Sequence, residues 1–196
     1  MDEKENIIIE THPWKPFLPS GAKVLLMGTF PPGRHRWSMD FYYPNPTNDF
    51  WRIMSLIFLG DKNALYDLKL KKFDLTAVKR LASDHHIALN DTAREVRRLR
   101  GNASDKFLEI LKPVPLFELL EQIPLCRDIA TTGEKAAGVV ADLTATSIPR
   151  MGEYALTHDG LKLWRMPSTS RAYPMKIEQK AEYYRNLFVS AGIEVF

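Results

Sequence analysis

Val24-Leu25-Leu26-Met27 runs straight into Gly28-Thr29-Phe30-Pro31-Pro32-Gly33. An apolar run this short, closed by chain breakers, fits a buried strand better than a helix. Pro31 and Pro32 lack a backbone N–H and hold φ fixed, so the chain must leave a sheet there as a rigid turn. Gly28 marks a point where the backbone bends or lets something approach closely. Lys23 to Phe30 is therefore expected to be the first strand of an open sheet. Such sheets bind ligands just beyond the carboxyl ends of their strands.

The rest of the chain repeats the alternation of strand and helix. Residues 1–20, with Ile7-Ile8-Ile9, Trp14 and Phe17, read as an N-terminal arm packed on a single domain spanning 21–196. Apolar residues at helical spacing predict a helix from Asn48 to Leu59, with Thr47 or Asn48 as N-cap and Gly60 as its stop. The Leu- and Lys-rich stretch 62–83 has a helical pattern and no chemical signature. Ile87 to Asp91 reads as a strand, Ala93 to Arg100 as a basic helix or turn, and 103–111 as a capped segment after the Gly101-Asn102 break. Helices are expected over Leu116–Ile123, Glu134–Leu143 and Ile177–Ala191. Strands are expected at Asp128–Gly133, on both sides of Asp159-Gly160, and at Ile193–Phe196. Strands alternating with helices imply an α/β fold, a mainly parallel sheet covered on both faces.

Composition narrows the function. With 196 residues the chain is long enough for one well-buried domain and short for two. Its 45% apolar and 26% charged residues argue against disorder. No apolar stretch approaches the ~20 residues that span a bilayer. The acidic start, Asp2-Glu3-Lys4-Glu5, lacks the basic opening of a signal peptide, so a cytoplasmic protein is expected. Cys126 is the one cysteine, which excludes an internal disulfide and a four-thiolate iron–sulfur cluster. The five histidines show no metal-ligand spacing, and Gly28 to Gly33 has neither a P-loop nor a dinucleotide fingerprint. No cofactor or metal is expected. A net charge of +3 is compatible with transient contact to nucleic acid.

Two stretches carry a family resemblance. The Gly28-x-x-Pro31 loop and the later Tyr43-Pro44-Asn45-Pro46-Thr47-Asn48-Asp49-Phe50-Trp51 resemble the first motif and base-stacking segment of the uracil-DNA glycosylase superfamily. The aromatic-Pro-x-Asn-x-Phe-Trp wording is most similar to its mismatch-specific and deoxyinosine branches. Met166-Pro167-Ser168-Thr169-Ser170, after an apolar strand, resembles the superfamily's second motif, a loop that enters the minor groove. The resemblance spans the chain from about residue 10. It implies a three-layer α/β/α domain that acts as a monomer on DNA containing a deaminated base, uracil or hypoxanthine. The implied enzyme hydrolyses the N-glycosidic bond without cofactor.

The resemblance also implies roles. Gly28, Thr29 and the backbone of Phe30 would meet the base, Tyr43 would stack on it, and Thr131 and Thr132 would face its Watson–Crick side. A hydroxyl discriminates bases less sharply than an amide there. Asn90 and Asp91 end a strand and are candidates to line the pocket, or to hold structure. Pro167, Ser168, Thr169, Ser170 and Arg171 would form the DNA-binding loop, with Arg171 or Tyr173 filling the gap left by the flipped nucleotide. Related enzymes carry Asp or Asn where this chain has Phe30, and phenylalanine cannot orient water. Asn48 takes that role by resemblance, with Asp49 and Asp40 as substitutes, although Asn48 is also a credible helix cap. Arg94, Arg97 and Arg98 would share one helical face, solvated or on phosphates. Two alternatives stay open: a catalytically inactive module that binds damaged or single-stranded DNA, and a hydrolase of free nucleosides or nucleotides.

Overall fold

The computed structural model describes residues 9–99 and 107–196. Its centre is a five-stranded sheet in the order β5 (Ile87–Asp91), β2 (Val24–Gly28), β8 (Asp128–Thr132), β10 (Lys162–Met166) and β9 (Tyr154–Leu156). Strand β2 is Val24–Gly28, buried throughout, with β5 (Ile87–Asp91) parallel on one side and β8 (Asp128–Thr132) parallel on the other. Strand β10 (Lys162–Met166) runs parallel to β8, and β9 (Tyr154–Leu156) closes that side antiparallel. Gly28 pairs in register with Asp91, and Met166 with Thr132, so these strand ends share one rim of the sheet.

Both faces of β2 are apolar because both are covered. Val24 and Leu26 pack among residues of α1 (Phe50–Leu59), α2 (Leu75–Asp84) and α5 (Ile177–Ser190). Leu25 and Met27 pack with residues of α3 (Leu116–Gln122) and α4 (Glu134–Leu143). The chain leaves β2 toward β5 and returns on the other side of β2 as β8, and this reversal opens a crevice at the carboxyl ends. Helix α1 stops where expected, at Gly60 in the left-handed conformation (φ +71°). Cys126 is buried, and that burial pushes its thiol pKa up to about 12.

Three expectations change. Ala93–Arg98 is a strand, β6, and not a basic helix or turn; it pairs antiparallel with β1 (Ile9–Thr11) and β7 (Leu108–Pro113). An irregularity in the β6–β7 register between Ala93 and Val96 puts those two buried residues three apart, which imitates helical spacing. The three arginines therefore share no helix face: Arg98 pairs with Glu10 at 2.6 Å and Arg97 with Glu109 at 3.2 Å. The break at 101–102 and the cap at 103–105 lie outside the described residues. In the Leu- and Lys-rich stretch, a small hairpin of β3 (Tyr66–Asp67) and β4 (Lys72–Phe73) precedes α2. Asp67 ties its turn by accepting from the N–H groups of Lys69 and Leu70. Ile193–Phe196 forms no strand, and Phe196 makes a hydrogen bond from its N–H to the Ile57 carbonyl at 2.9 Å. No helix among the described residues is long and apolar enough to cross a membrane.

Candidate active site

A cleft of about 900 Å³ opens at the carboxyl rim of the sheet. Three distant stretches wall it: Gly28 to Pro32, Tyr43 to Asn48, and Ser168 to Ala172, with Arg36, Asp91 and Thr132 between them. The proline turn is pinned from behind, where Arg98 donates to the Pro31 carbonyl at 2.6 Å and Trp37 to that of Pro32 at 2.7 Å.

Tyr43 is held unusually for its type. Its φ is +53°, a conformation that costs a non-glycine residue roughly 1–3 kcal/mol and is found where structure over-determines it. One ring face lies on Phe50, with centroids 3.7 Å apart and planes 10° from parallel. Its hydroxyl meets Thr132 Oγ1 at 3.2 Å. Burial, and then the nearby Asp91 charge, push the phenol pKa well above 10, so the ring stays neutral. Gly28 makes this approach feasible: a Cβ there would stand 3.3 Å from the Tyr43 hydroxyl and 2.6 Å from Asp91 Oδ1.

Asn48 and Asp49 take different positions. Asn48 lines the cleft, and its Oδ1 accepts from the Phe50 N–H at 2.9 Å, the local bond that the capping expectation describes. The N-cap itself is Asp49, whose side chain makes no capping bond. Asp49 is buried behind the cleft wall. One carboxylate oxygen accepts from Arg171, and the other lies 3.3 Å from Lys180 Nζ. Asp40 accepts from Trp14 Nε1 at 2.8 Å. The two motif loops are joined by backbone: Asp49 N–H donates to the Thr169 carbonyl at 2.7 Å, and Asn48 bridges to Ser170.

Of the remaining predicted residues, Thr29, Phe30, Thr132, Ser168, Thr169, Ser170 and Arg171 line the cleft. Phe30 also packs on Ala93, Val96 and Leu108. Pro167, Asn90 and Thr131 do not line it. The Pro167 carbonyl accepts from Tyr184. Asn90 accepts from the Tyr42 hydroxyl at 2.9 Å, and Thr131 donates to the Trp164 carbonyl at 2.9 Å. Side chains alternate along a strand, so at both strand ends it is the following residue, Asp91 and Thr132, that meets the cleft.

The pairing of His12 with Asp91 has no local signal, because 79 residues separate the two. His12 Nε2 lies 2.9 Å from Asp91 Oδ2, and both side chains are nearly buried. Its Nδ1 lies 3.0 Å from the Trp14 carbonyl and 3.3 Å from the Trp14 N–H, so each protonation state has a partner. Burial pulls the imidazole pKa down. The Asp91 hydrogen bond and charge, with the Trp14 carbonyl, outweigh it and raise the pKa above 6.5. Lys180, wholly buried on α5, is likewise unforeseen, since nothing in an amphipathic helix marks one lysine as internal. Among the described residues no group of three His, Cys, Asp or Glu is placed to hold a metal.

No protein-family model matches this chain, and no curated protein sequence does. Among solved structures it is similar to a solution NMR structure described as a "putative Uracil DNA glycosylase" from Methanosarcina acetivorans. The TM-score is 0.67 at 19% identity, over 94% of this chain and 99% of that one. At that identity the likeness concerns the fold: a mixed α/β architecture shared with that protein across nearly its whole length.

Proposed function

We propose that the protein is a monofunctional DNA glycosylase that extrudes a deaminated base, uracil or hypoxanthine, and hydrolyses its N-glycosidic bond. The observation that carries this reading is Tyr43. It is a strained aromatic backed by Phe50, and it lies in a cleft walled by the three stretches that resemble glycosylase motifs. Extruding a base costs a few kcal/mol, and a flat, neutral ring offers a stacking surface that offsets part of it. The Gly28–Phe30 turn and Thr132 lie beside that surface. The Ser168–Arg171 loop offers hydroxyls and a half-exposed guanidinium for backbone phosphates or the vacated stack. Asn48 positions water: its amide N–H groups have no partner among the described residues, and its Oδ1 keeps a second lone pair. No lysine lines the cleft among the described residues, which supports hydrolysis and not attack by an amine. The enzyme acts as a cytoplasmic monomer without cofactor, in a three-layer domain.

A second reading is a non-catalytic reader of damaged or single-stranded DNA. Phe30 at the usual water-orienting position favours it, as does the engagement of Asn48 Oδ1 with Phe50. Single-turnover cleavage, after alkali, of end-labelled oligonucleotides carrying one uracil or one hypoxanthine separates the two. The enzyme reading expects strand scission that Asn48→Ala and Tyr43→Ala each slow by roughly 100-fold, in proteins that keep their fold. Intact strands with retained, damage-selective binding would establish the reader instead.

A further inference from the structure

Asp91 faces the cleft from the end of β5, and the residue that holds it comes from the N-terminal arm. The arm is fastened on both sides of His12. The His12 N–H donates to the Arg94 carbonyl at 2.8 Å, Trp14 reaches Asp40, and Phe17 exchanges backbone hydrogen bonds with Leu89 at 3.0 and 2.9 Å. Oxygen Oδ2 of Asp91 belongs to His12, whereas Oδ1 has no partner among the described residues. That oxygen and the Tyr43 hydroxyl both border Gly28, 2.6 and 3.3 Å from where a Cβ would stand. Phe50 covers one face of Tyr43, and the hydroxyl end of the ring lies beside Thr132 and within the field of the Asp91 carboxylate.

Resting on the reading of this cleft as a base pocket, we infer that the N-terminal arm completes its floor. His12 fixes the Asp91 carboxylate so that Oδ1 accepts a ring N–H from the base stacked on Tyr43. A carboxylate only accepts, so the matching ligand is a flat ring that presents a donor there, such as N3–H of uracil or N1–H of hypoxanthine. A ring without that hydrogen would cover the carboxylate oxygen and leave it unanswered, which discriminates more strongly than a misfit of shape. Asp91 touches the ligand; His12 is a positioning residue acting through it. Tyr42, stacked on His12 with its hydroxyl on Asn90, packs against Trp14 as well and completes the aromatic cluster around the histidine.

The test is equilibrium binding by fluorescence anisotropy, which does not depend on cleavage. The probes are duplexes carrying one hydrolysis-resistant 2′-fluoro deoxyuridine or deoxyinosine, each beside its N3-methyl or N1-methyl counterpart. The wild-type protein should bind the N–H base about tenfold or more tightly than the N-methyl base. Asp91→Leu, which keeps bulk without an acceptor, should lose affinity for the N–H base and bring the ratio near one. His12→Ala should shrink the ratio, and His12→Gln, whose amide can donate to Asp91, should restore much of it. Circular dichroism would check folding, and the His12 pair decides the matter if Asp91→Leu does not fold. Equal wild-type affinity for the N–H and N-methyl bases, or a ratio unchanged by these substitutions, overturns the inference. Discrimination without excision would sink the glycosylase reading alone, and excision without discrimination would sink this inference alone.

Discussion

Arg171 donates from Nε and Nη2 to a single oxygen of Asp49, at 3.0 and 2.9 Å, across 122 residues of sequence. Lys180 sits 3.3 Å from the other oxygen and donates to the Ser170 carbonyl at 2.8 Å. One carboxylate thus fastens the start of α1 to the loop that carries Arg171, and to α5 behind it. The negative charge at Asp49 keeps that loop in place, and Asp49 itself does not line the cleft.

Asp49→Ala would leave the wholly buried Lys180 ammonium without a counter-charge, while Arg171, half in water, can turn outward. Breaking a buried pair in this way costs roughly 3–5 kcal/mol. Lys180→Met removes the buried cation and leaves Arg171 to answer Asp49, so its cost should be less than half of that. Urea unfolding of both variants at neutral pH checks the order, and equal losses would mean that Arg171 does not answer Asp49 once Lys180 is gone.

Gly28 has an ordinary negative φ, so Gly28→Ala brings no backbone strain. The added methyl would stand 2.6 Å from Asp91 Oδ1 and must displace the carboxylate or tilt Tyr43. Misplacement of this size inside a site costs roughly 100-fold in rate. Single-turnover excision should fall accordingly while the unfolding midpoint moves little. A large loss of stability with normal excision would place the collision somewhere harmless to the reaction.

The His12–Asp91 pair makes stability depend on pH with a definite sign. The folded-state pKa of His12 is raised, so the imidazolium contribution is fully present below the unfolded value of about 6.5. It is lost as pH rises from there through the raised folded value. The titratable groups beside this pair are Tyr42 and Tyr43, and both phenols stay neutral across that window because burial, then Asp91, raises them. Denaturant midpoints of wild type and His12→Gln should therefore lie furthest apart near pH 6 and converge toward pH 9. A gap that widens with pH would show that the histidine folds in neutral.

How much of this was readable from the chain depends on how local each cause is. Strand β2 is legible because an apolar run bounded by Gly and Pro has few other uses. The end of α1 is legible because Gly60 adopts a conformation that side chains resist. Strand β6 is not, because an irregular register breaks the alternation that identifies strands, and its arginines find carboxylates on other segments. The hairpin before α2 escapes for a similar reason. Arg52 lies over the ring of Tyr66, with Cζ 4.2 Å from the centroid, a tertiary contact that composition does not foreshadow. In the cleft, the walls follow from motif spacing, but which of two neighbours faces inward is set by strand phase. Hence Asp91 and Thr132 line it where Asn90 and Thr131 do not. The arm's histidine is the extreme case, since only the assembled fold brings residue 12 to residue 91.

The small sheet β1-β6-β7 has a consequence for handling the protein. Among the described residues strand β1 spans three, and they cover one side of β6 along Arg97, Val96 and Glu95. A truncation that removes it would bare a row of unpaired peptide groups, a ready template for a strand from another molecule. Trimming the chain to what looks like its globular part would therefore produce a protein prone to self-association.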